Sequence, residues 1–163
     1  MAFSNLRCIN LNIEWKVALT DSELLTLVSA WPYLQELLIN RKWGWNTLGG
    51  ITPNGILQLL QTCQSLSRIA LTIDTRGYTE IPPSPASLGL TLPRMSIIDV
   101  LDSFIEEESV PAISVFFAGF VPHLDCFIFS AWNDVGMHHN PYRDGCEVRW
   151  DYVRKHVNEA NRS

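Results

Sequence analysis

The stretch Leu34-Gln35-Glu36-Leu37-Leu38-Ile39 carries the pattern that decides the fold. Its first, fourth and sixth residues are apolar, and the same spacing occurs five times along the chain. The apolar positions are Leu6, Ile9 and Leu11; Leu34, Leu37 and Ile39; Leu66, Ile69 and Leu71; Met95, Ile98 and Val100; and Leu124, Phe127 and Phe129. Self-similarity at intervals of 28 to 32 residues is typical of repeat architectures. We therefore predict five equivalent short strands.

A short segment of matching sequence lies directly before four of these strands. Its second position is proline in Trp31-Pro32, Leu92-Pro93 and Val121-Pro122. Proline cannot continue a helix, and it pushes the residue before it towards extended geometry. This shared proline position therefore indicates where one element ends just before a strand.

Helix-start signals lie between the predicted strands. Thr20 with Glu23 three residues later forms a capping box, and Thr52 stands before Pro53 at a first helical position. Ser109 opens a third, strongly apolar helical segment. The remaining spacer, 81–87, is rich in proline and predicts an irregular loop.

Alternating strands and helices at this period predict an α/β solenoid, with about five parallel strands on the concave face and helices and loops on the convex face. A doubly wound α/β domain is the alternative, but it requires neither a fixed strand pattern nor a matching segment at a fixed position before the strands. We assign residues 1–132 to the solenoid and 133–163 to a loop plus a C-terminal capping helix. The expected apolar face of that helix comprises Val148, Tyr152, Val153, His156 and Val157.

The strand motif with one helix per repeat resembles the leucine-rich-repeat family. Leu19-Thr20-Asp21-Ser22-Glu23-Leu24 and Ala30-Trp31-Pro32-Tyr33-Leu34 resemble its cysteine-containing, F-box-associated branch, and Cys63 occupies the cysteine column once. Over residues 6–132 the chain looks most like the C-terminal repeat region of fungal F-box-type proteins, without an F-box ahead of its first strand. The resemblance implies a non-catalytic protein–protein interaction module, such as the substrate-recognition region of a ubiquitin-ligase subunit.

Composition limits the kinds of partner. A formal charge of -5, with only 12 Lys and Arg, argues against a nucleic-acid partner, because phosphate binding depends on clustered basic residues. The four cysteines form no C-x-x-C pair, and neither a secretory signal nor a membrane-spanning stretch is visible. We expect free thiols, no membrane partner and a cytoplasmic or nuclear location.

The concave face is the first candidate binding surface. The second, third and fifth residues of each strand motif are expected to point there, because side chains alternate along a strand. Their mixture of charged and small polar groups suits a protein or peptide ligand. The candidate partner-binding residues on this face are Arg7, Asn10, Gln35, Glu36, Ser67, Arg68, Ser96, Asp99 and Asp125.

Loops that follow the strands are the second candidate surface. They contain Trp43, Trp45, Arg76, Tyr78 and Trp132, which are residue types that frequently anchor interfaces. Tryptophans beside glycines also fold back onto a core, and this alternative stays open for Trp43 and Trp45.

Catalytic motifs are not found. The sequence has no G-x-S-x-G elbow, no phosphate-binding glycine loop with a following lysine and no H-E-x-x-H. His138 and His139 are adjacent, and no third potential ligand lies at a spacing typical of a metal site. We therefore expect no metal and no cofactor. A small α/β hydrolase or transferase is the alternative function, and it would need polar residues converging at one end of the strands.

The first predicted strand leaves an open edge. An uncovered end of a repeat stack exposes unpaired backbone groups and apolar side chains. A missing N-terminal region, a partner or self-association should therefore cover the face near Leu6 to Leu11.

Overall fold

The architecture was taken from a computed structural model that describes residues 5–81, 83, 86–89, 95–120, 124, 126–129, 145–160 and 162. Within these residues the chain forms five strands and four α-helices. The strands are β1 (Cys8–Leu11), β2 (Glu36–Ile39), β3 (Arg68–Ala70), β4 (Ile97–Asp99) and β5 (Cys126–Ile128). The helices are α1 (Asp21–Val28), α2 (Pro53–Thr62), α3 (Val110–Ala118) and α4 (Cys146–Ala160).

The strands form one parallel sheet in the order β1-β2-β3-β4-β5. Its register aligns Ile9, Leu37, Ile69, Ile98 and Phe127 as neighbouring rungs, which confirms the predicted equivalence of the five segments. Doubly wound sheets reverse their strand order at a switch point, whereas this order is strictly sequential. The α/β class and the parallel ladder are therefore confirmed, and the doubly wound alternative is not.

A second row of parallel bridges links the segments that lie between strands and helices. It joins Thr20 to Gly50, Ile51 to Ile73 and Asp74 to Phe104. Each bridge again connects neighbouring repeats, so consecutive repeats are held together at two levels.

Two of the three helix-start signals act as predicted, whereas the Ser109 hydroxyl does not cap α3 and donates to the Thr75 carbonyl. The Thr20 hydroxyl accepts a hydrogen bond from the Glu23 backbone N–H, and the Glu23 carboxylate accepts one from the Thr20 backbone N–H at 2.8 Å. Thr52 accepts from the Gly55 backbone N–H at 3.2 Å, with Pro53 at the first helical position. These caps satisfy N–H groups that a helix leaves unpaired at its start, which explains why α1 and α2 begin where they do.

The proline-rich spacer differs from the others. Its described residues contain one 3-10 turn, Ala86–Leu88, and no α-helix. A second 3-10 turn, Glu107–Ser109, leads directly into α3. Both observations agree with the expected irregular loop and helix entrance.

A buried carboxylate joins three repeats. Asp102 accepts hydrogen bonds from the backbone N–H groups of Trp45 at 2.8 Å and Asn46 at 2.7 Å, and from the Thr72 hydroxyl at 2.6 Å. Gly44 adopts φ +69°, and a Cβ there would lie 2.6 Å from the Asp102 carboxyl carbon. Glycine is therefore required beside this carboxylate, both by backbone geometry and by space.

The core is a single apolar cluster between the sheet and the helices. It includes Leu24 and Val28 of α1, the apolar side of α2, Phe116 and Phe117 of α3, and Trp150 of α4. No helix in the described part of the chain is long and apolar enough to cross a membrane.

The buried face of α4 differs from the prediction. Cys146, Trp150, Val153 and Val157 are buried, whereas Val148 and Tyr152 are 74% and 60% exposed. The helix contains two apolar stripes at helical spacing, and the one that includes Trp150 has the larger side chain to bury. Assigning Val148 and Tyr152 to the packed face was therefore wrong, although the helix and its final turns were predicted correctly.

Candidate functional site

One face of the sheet carries the strand residues that alternate with the core residues, and we call it the open face. The register places Cys8, Glu36, Arg68, Ile97 and Cys126 side by side across it, one residue per strand. Glu36, Arg68 and Ile97 are partly exposed, and the two cysteines at the ends are exposed. The open face therefore presents a charged centre flanked by small and apolar side chains.

An ion pair lies at the centre of this face. Arg68 Nη1 is 3.1 Å from Glu36 Oε1, and the two side chains remain 31% and 29% exposed. Arg68 Nε is buried and has no hydrogen-bond partner among the described residues. The exposed part of the guanidinium, with its planar donor set, suits a carboxylate or carbonyl acceptor on a ligand.

Cys8 extends the same cluster towards β1. Its Sγ lies 3.6 Å from Glu36 Oε2 as a weak donor. Slight desolvation of the exposed thiol, together with the neighbouring Glu36 carboxylate, raises the pKa of Cys8. The group is therefore protonated at neutral pH, which suits a contact residue better than a nucleophile.

The next row along the strands is mostly closed. Leu38, Ala70 and Asp99 are buried, and only Asn10 and Ile128 at the two ends keep exposed surface. Asp99 is 1% exposed, accepts from the Leu101 backbone N–H at 3.1 Å and lies 3.3 Å from Arg41 Nε. Asp99 was predicted to be a surface contact, but its carboxylate is held inside the chain by Arg41, which the sequence did not single out.

Residues at the second motif position join neighbouring repeats through backbone hydrogen bonds. The backbone carbonyls of three of these residues each accept hydrogen bonds from two backbone N–H groups of the next repeat. The donor pairs are Gln35 and Glu36 for Arg7, Ser67 and Arg68 for Gln35, and Ser96 and Ile97 for Ser67. The hydroxyls of Ser67 and Ser96 each donate to the carbonyl of the preceding repeat at 3.1 Å. These two serines therefore hold repeats together, whereas Arg7 and Gln35 are exposed. Asp125 lies outside the described residues.

The loop candidates separate into core and surface residues. Trp45 is fully buried, and its Nε1 donates to the Ile39 carbonyl at 2.9 Å, so the alternative of folding back onto the core is the one observed. Trp43 remains partly exposed, with Lys42 Nζ 4.6 Å from its ring centre. Trp45 consequently offers no binding surface, and Trp43 does.

The loop after β3 contains the other two described candidates. Arg76 forms two hydrogen bonds to the Asp74 carboxylate, at 2.7 and 2.8 Å, which hold its guanidinium against its own loop. Tyr78 is partly buried and lines a cavity of about 400 Å³ with Asn54 and Ile81. Trp132, the remaining loop candidate, lies outside the described residues.

A groove between α3 and α4 was not anticipated. It has a volume of about 510 Å³ and is lined by Val110, Pro111, Val148 and Tyr152, with Glu107 and Arg149 at its polar edge. The available signal was the spacing of Val148 and Tyr152, which places both on one side of the helix. The same spacing is also typical of a packed face, and the prediction that these two residues form one is wrong.

Potential metal ligands do not cluster in the part of the chain that the structure describes. No group of three or more His, Cys, Asp or Glu side chains there is arranged to hold a metal ion. His138 and His139 fall outside that part. The site that the described residues form is a partly exposed, charged protein surface.

Comparisons with known proteins give no relative. No protein-family model, curated protein or solved structure matches the chain. Functional evidence therefore comes from the chain's own sequence and geometry.

Proposed function

We propose that the chain is a non-catalytic protein–protein interaction module, built as a leucine-rich-repeat solenoid whose open face binds a protein or peptide ligand. The observation that carries this proposal is the Glu36–Arg68 ion pair, whose side chains are 29% and 31% exposed at the centre of the open face. Arginine in a partly desolvated setting is a frequent energetic anchor of interfaces. An extended peptide with an acidic or carbonyl acceptor opposite Arg68 fits this surface.

The polar groups near the carboxyl ends of the strands support a binding role over a hydrolase or transferase. Asn40 receives a hydrogen bond from the Ile13 backbone N–H and donates to the Trp15 carbonyl, and Thr72 donates to Asp102. In open α/β enzymes the substrate binds at this edge of the sheet. Among the described residues there, the hydrogen bonds of these groups serve the fold.

The resemblance to F-box-associated repeats supplies the wider context of the proposal. In that context the chain acts in the cytoplasm or nucleus as the substrate-recognition region of a ubiquitin-ligase subunit. The open face would then hold the protein that is to be modified, and the adaptor would contact a different region.

Removing either central charge should weaken recognition without unfolding the chain. We expect Glu36→Ala and Arg68→Ala each to weaken ligand binding by at least about tenfold, because interface arginines and their partners are often worth more than 1.4 kcal/mol. Stability should fall by no more than about 1 kcal/mol, since the pair is partly solvated. The measurement is quantitative affinity capture from the source organism, followed by titration of the captured protein.

Lys155→Ala is the matched control, because Lys155 pairs with Asp151 in an exposed ion pair on α4, away from the open face. A protein that is retained by the parent chain and by this control, and lost by both open-face variants, supports the proposal. Equal retention by all four chains would place recognition elsewhere and overturn it.

A further inference from the structure

Two arginine side chains share the middle of the open face. Arg41 lies two residues after the end of β2, and its Nε is 3.3 Å from the Asp99 carboxylate on β4. The Arg41 side chain must therefore cross β3, where Ala70 is small and lies in the same row as Asp99. Arg68 lies on the same side of β3, two residues before Ala70. The two guanidinium groups are thus neighbours on this surface.

These arginines are more exposed than the carboxylates that they contact. The side chains of Arg68 and Arg41 are 31% and 38% exposed. Those of Glu36 and Asp99 are 29% and 0% exposed. Both oxygens of Glu36 face donors of the chain, Arg68 Nη1 on one and the Cys8 thiol on the other. Both oxygens of Asp99 likewise accept, one from Arg41 and one from a backbone N–H. The surface therefore offers donors to a ligand, while its carboxylates are engaged within the chain.

An apolar patch continues the open face towards β5. The register places Ile97 beside Arg68 on the next strand and Cys126 beyond it, and Ile128 lies on the same side of β5 as Cys126. Ile97 and Ile128 are partly exposed, and Cys126 is exposed. The carboxylate beside Ile128 in the register, that of Asp99, has no exposed surface. A ligand can therefore bury an aliphatic side chain on this patch without removing water from a charge.

The spacing of the strands determines which ligand residues can reach both features. Neighbouring strands lie about 4.8 Å apart, so the patch on β4 and β5 lies about 5–10 Å from β3. In an extended peptide that crosses the strands, side chains two residues apart point the same way and are separated by about 6.7 Å. An acidic residue over Arg68 therefore places the residue two positions away over Ile97 and Cys126.

We propose that the open face selects extended peptides in which an acidic residue and an aliphatic residue lie two positions apart. This inference rests on the proposed function, because it names the class of partner that the same face binds. The acidic side chain accepts charge-assisted hydrogen bonds from the two arginines, and the aliphatic side chain packs on Ile97. Glu36 is a positioning residue, because it holds the Arg68 guanidinium on the surface.

The overall charge of the chain favours a peptide with few carboxylates. A net charge of -5 repels a long polyanionic segment. A single carboxylate beside Arg68 and Arg41 interacts mainly with those two groups, because physiological salt screens exposed charges beyond about 8–10 Å. A basic peptide is disfavoured at this position, since it would meet two guanidinium groups and carboxylates that are already engaged.

Selection from a displayed library of short random peptides tests this preference on the full chain. We expect the peptides that the parent chain retains to carry Asp or Glu with Ile, Leu or Val two positions away. This pair should be enriched by at least about tenfold over the unselected library, because charge-assisted hydrogen bonds and aliphatic burial both add to affinity.

Substitutions on the open face should change the two preferences separately. Arg68→Glu should replace the acidic preference by a basic one, since it reverses the charge opposite the ligand. Arg68→Gln should remove the acidic preference, and it keeps the test decisive if a second carboxylate beside Glu36 disturbs folding. Ile97→Ser should reduce the aliphatic enrichment by about threefold or more and leave the acidic enrichment in place. Lys155→Ala is the matched control on α4 and should retain the same peptides as the parent chain.

The outcomes separate this inference from the proposed function. Peptides that are lost with Arg68→Gln but show no acidic preference would overturn the inference and leave the open face as a binding surface. Acidic peptides retained equally by the parent chain and by every open-face variant would overturn both. A parent chain that retains no peptide above the empty support would overturn the inference, whereas loss of a captured protein in Arg68→Ala would still support the proposed function.

Discussion

Replacing Asp102 by alanine should cost about 3–5 kcal/mol of unfolding free energy, because two buried donors and one partly buried donor lose their acceptor at once. The carboxylate accepts from the Trp45 and Asn46 backbone N–H groups and from the Thr72 hydroxyl. Two of these donors have no access to solvent, since Trp45 and Thr72 are fully buried. Urea denaturation followed by circular dichroism measures the loss.

Asp74→Ala is the matched control for Asp102→Ala. Asp74 also accepts several hydrogen bonds, but all of those observed come from Arg76 in its own loop, and its side chain is 19% exposed. Its loss should cost less than about 1.5 kcal/mol. Similar losses for the two variants would contradict the assignment of Asp102 as the link between repeats. The loss of unfolding free energy for Asp102→Asn should lie between those of the other two variants. The amide keeps one acceptor oxygen but points its NH2 group at a donor that Asp102 had accepted from.

Replacing Trp150 by alanine should also cost about 3–5 kcal/mol, because a large buried ring and its hydrogen bond are lost together. The ring is fully buried, lies 6.1 Å from Phe117 and 6.0 Å from Phe127 between ring centres, and donates from Nε1 to the Ser103 carbonyl at 2.8 Å. The loss should be concentrated in α4, whose backbone amides should exchange with deuterium much faster than those of α2.

Two substitutions separate the contributions to α4 docking. Trp150→Phe keeps most of the apolar contact and should cost about 1–2 kcal/mol, chiefly through the unsatisfied Ser103 carbonyl. Tyr152→Ala changes an exposed aromatic residue on the same helix and should change stability by less than about 0.5 kcal/mol. A larger effect for Tyr152 than for Trp150 would mean that the packed face of α4 has been assigned wrongly.

Local sequence signals predicted the strands, their register and the helix starts. The spacing of Leu37, Ile69 and Ile98 determines which side chains enter the core, and Thr20 and Thr52 cap helices through residues only three positions away. Such features depend on short-range geometry that is written directly into residue order. A repeat shows them several times, which makes the pattern easy to recognise.

Long-range partners explain what the sequence did not reveal. Strand alternation correctly placed Asp99 on the open side of β4, but no local rule brings Arg41 to it across 58 positions. Trp45 likewise became a core residue because Asp102 holds its backbone in place from a distant repeat. In α4 two apolar stripes competed, and only the surrounding aromatic rings decide between them.

The sequential strand order determines how the chain can acquire its structure. Each strand meets its partner 28 to 32 residues along the chain, so each closure costs a similar amount of loop entropy. No pairing has to wait for a distant end of the polypeptide. A nascent chain leaving the ribosome can therefore complete each pairing in turn, before the following repeat has been synthesised.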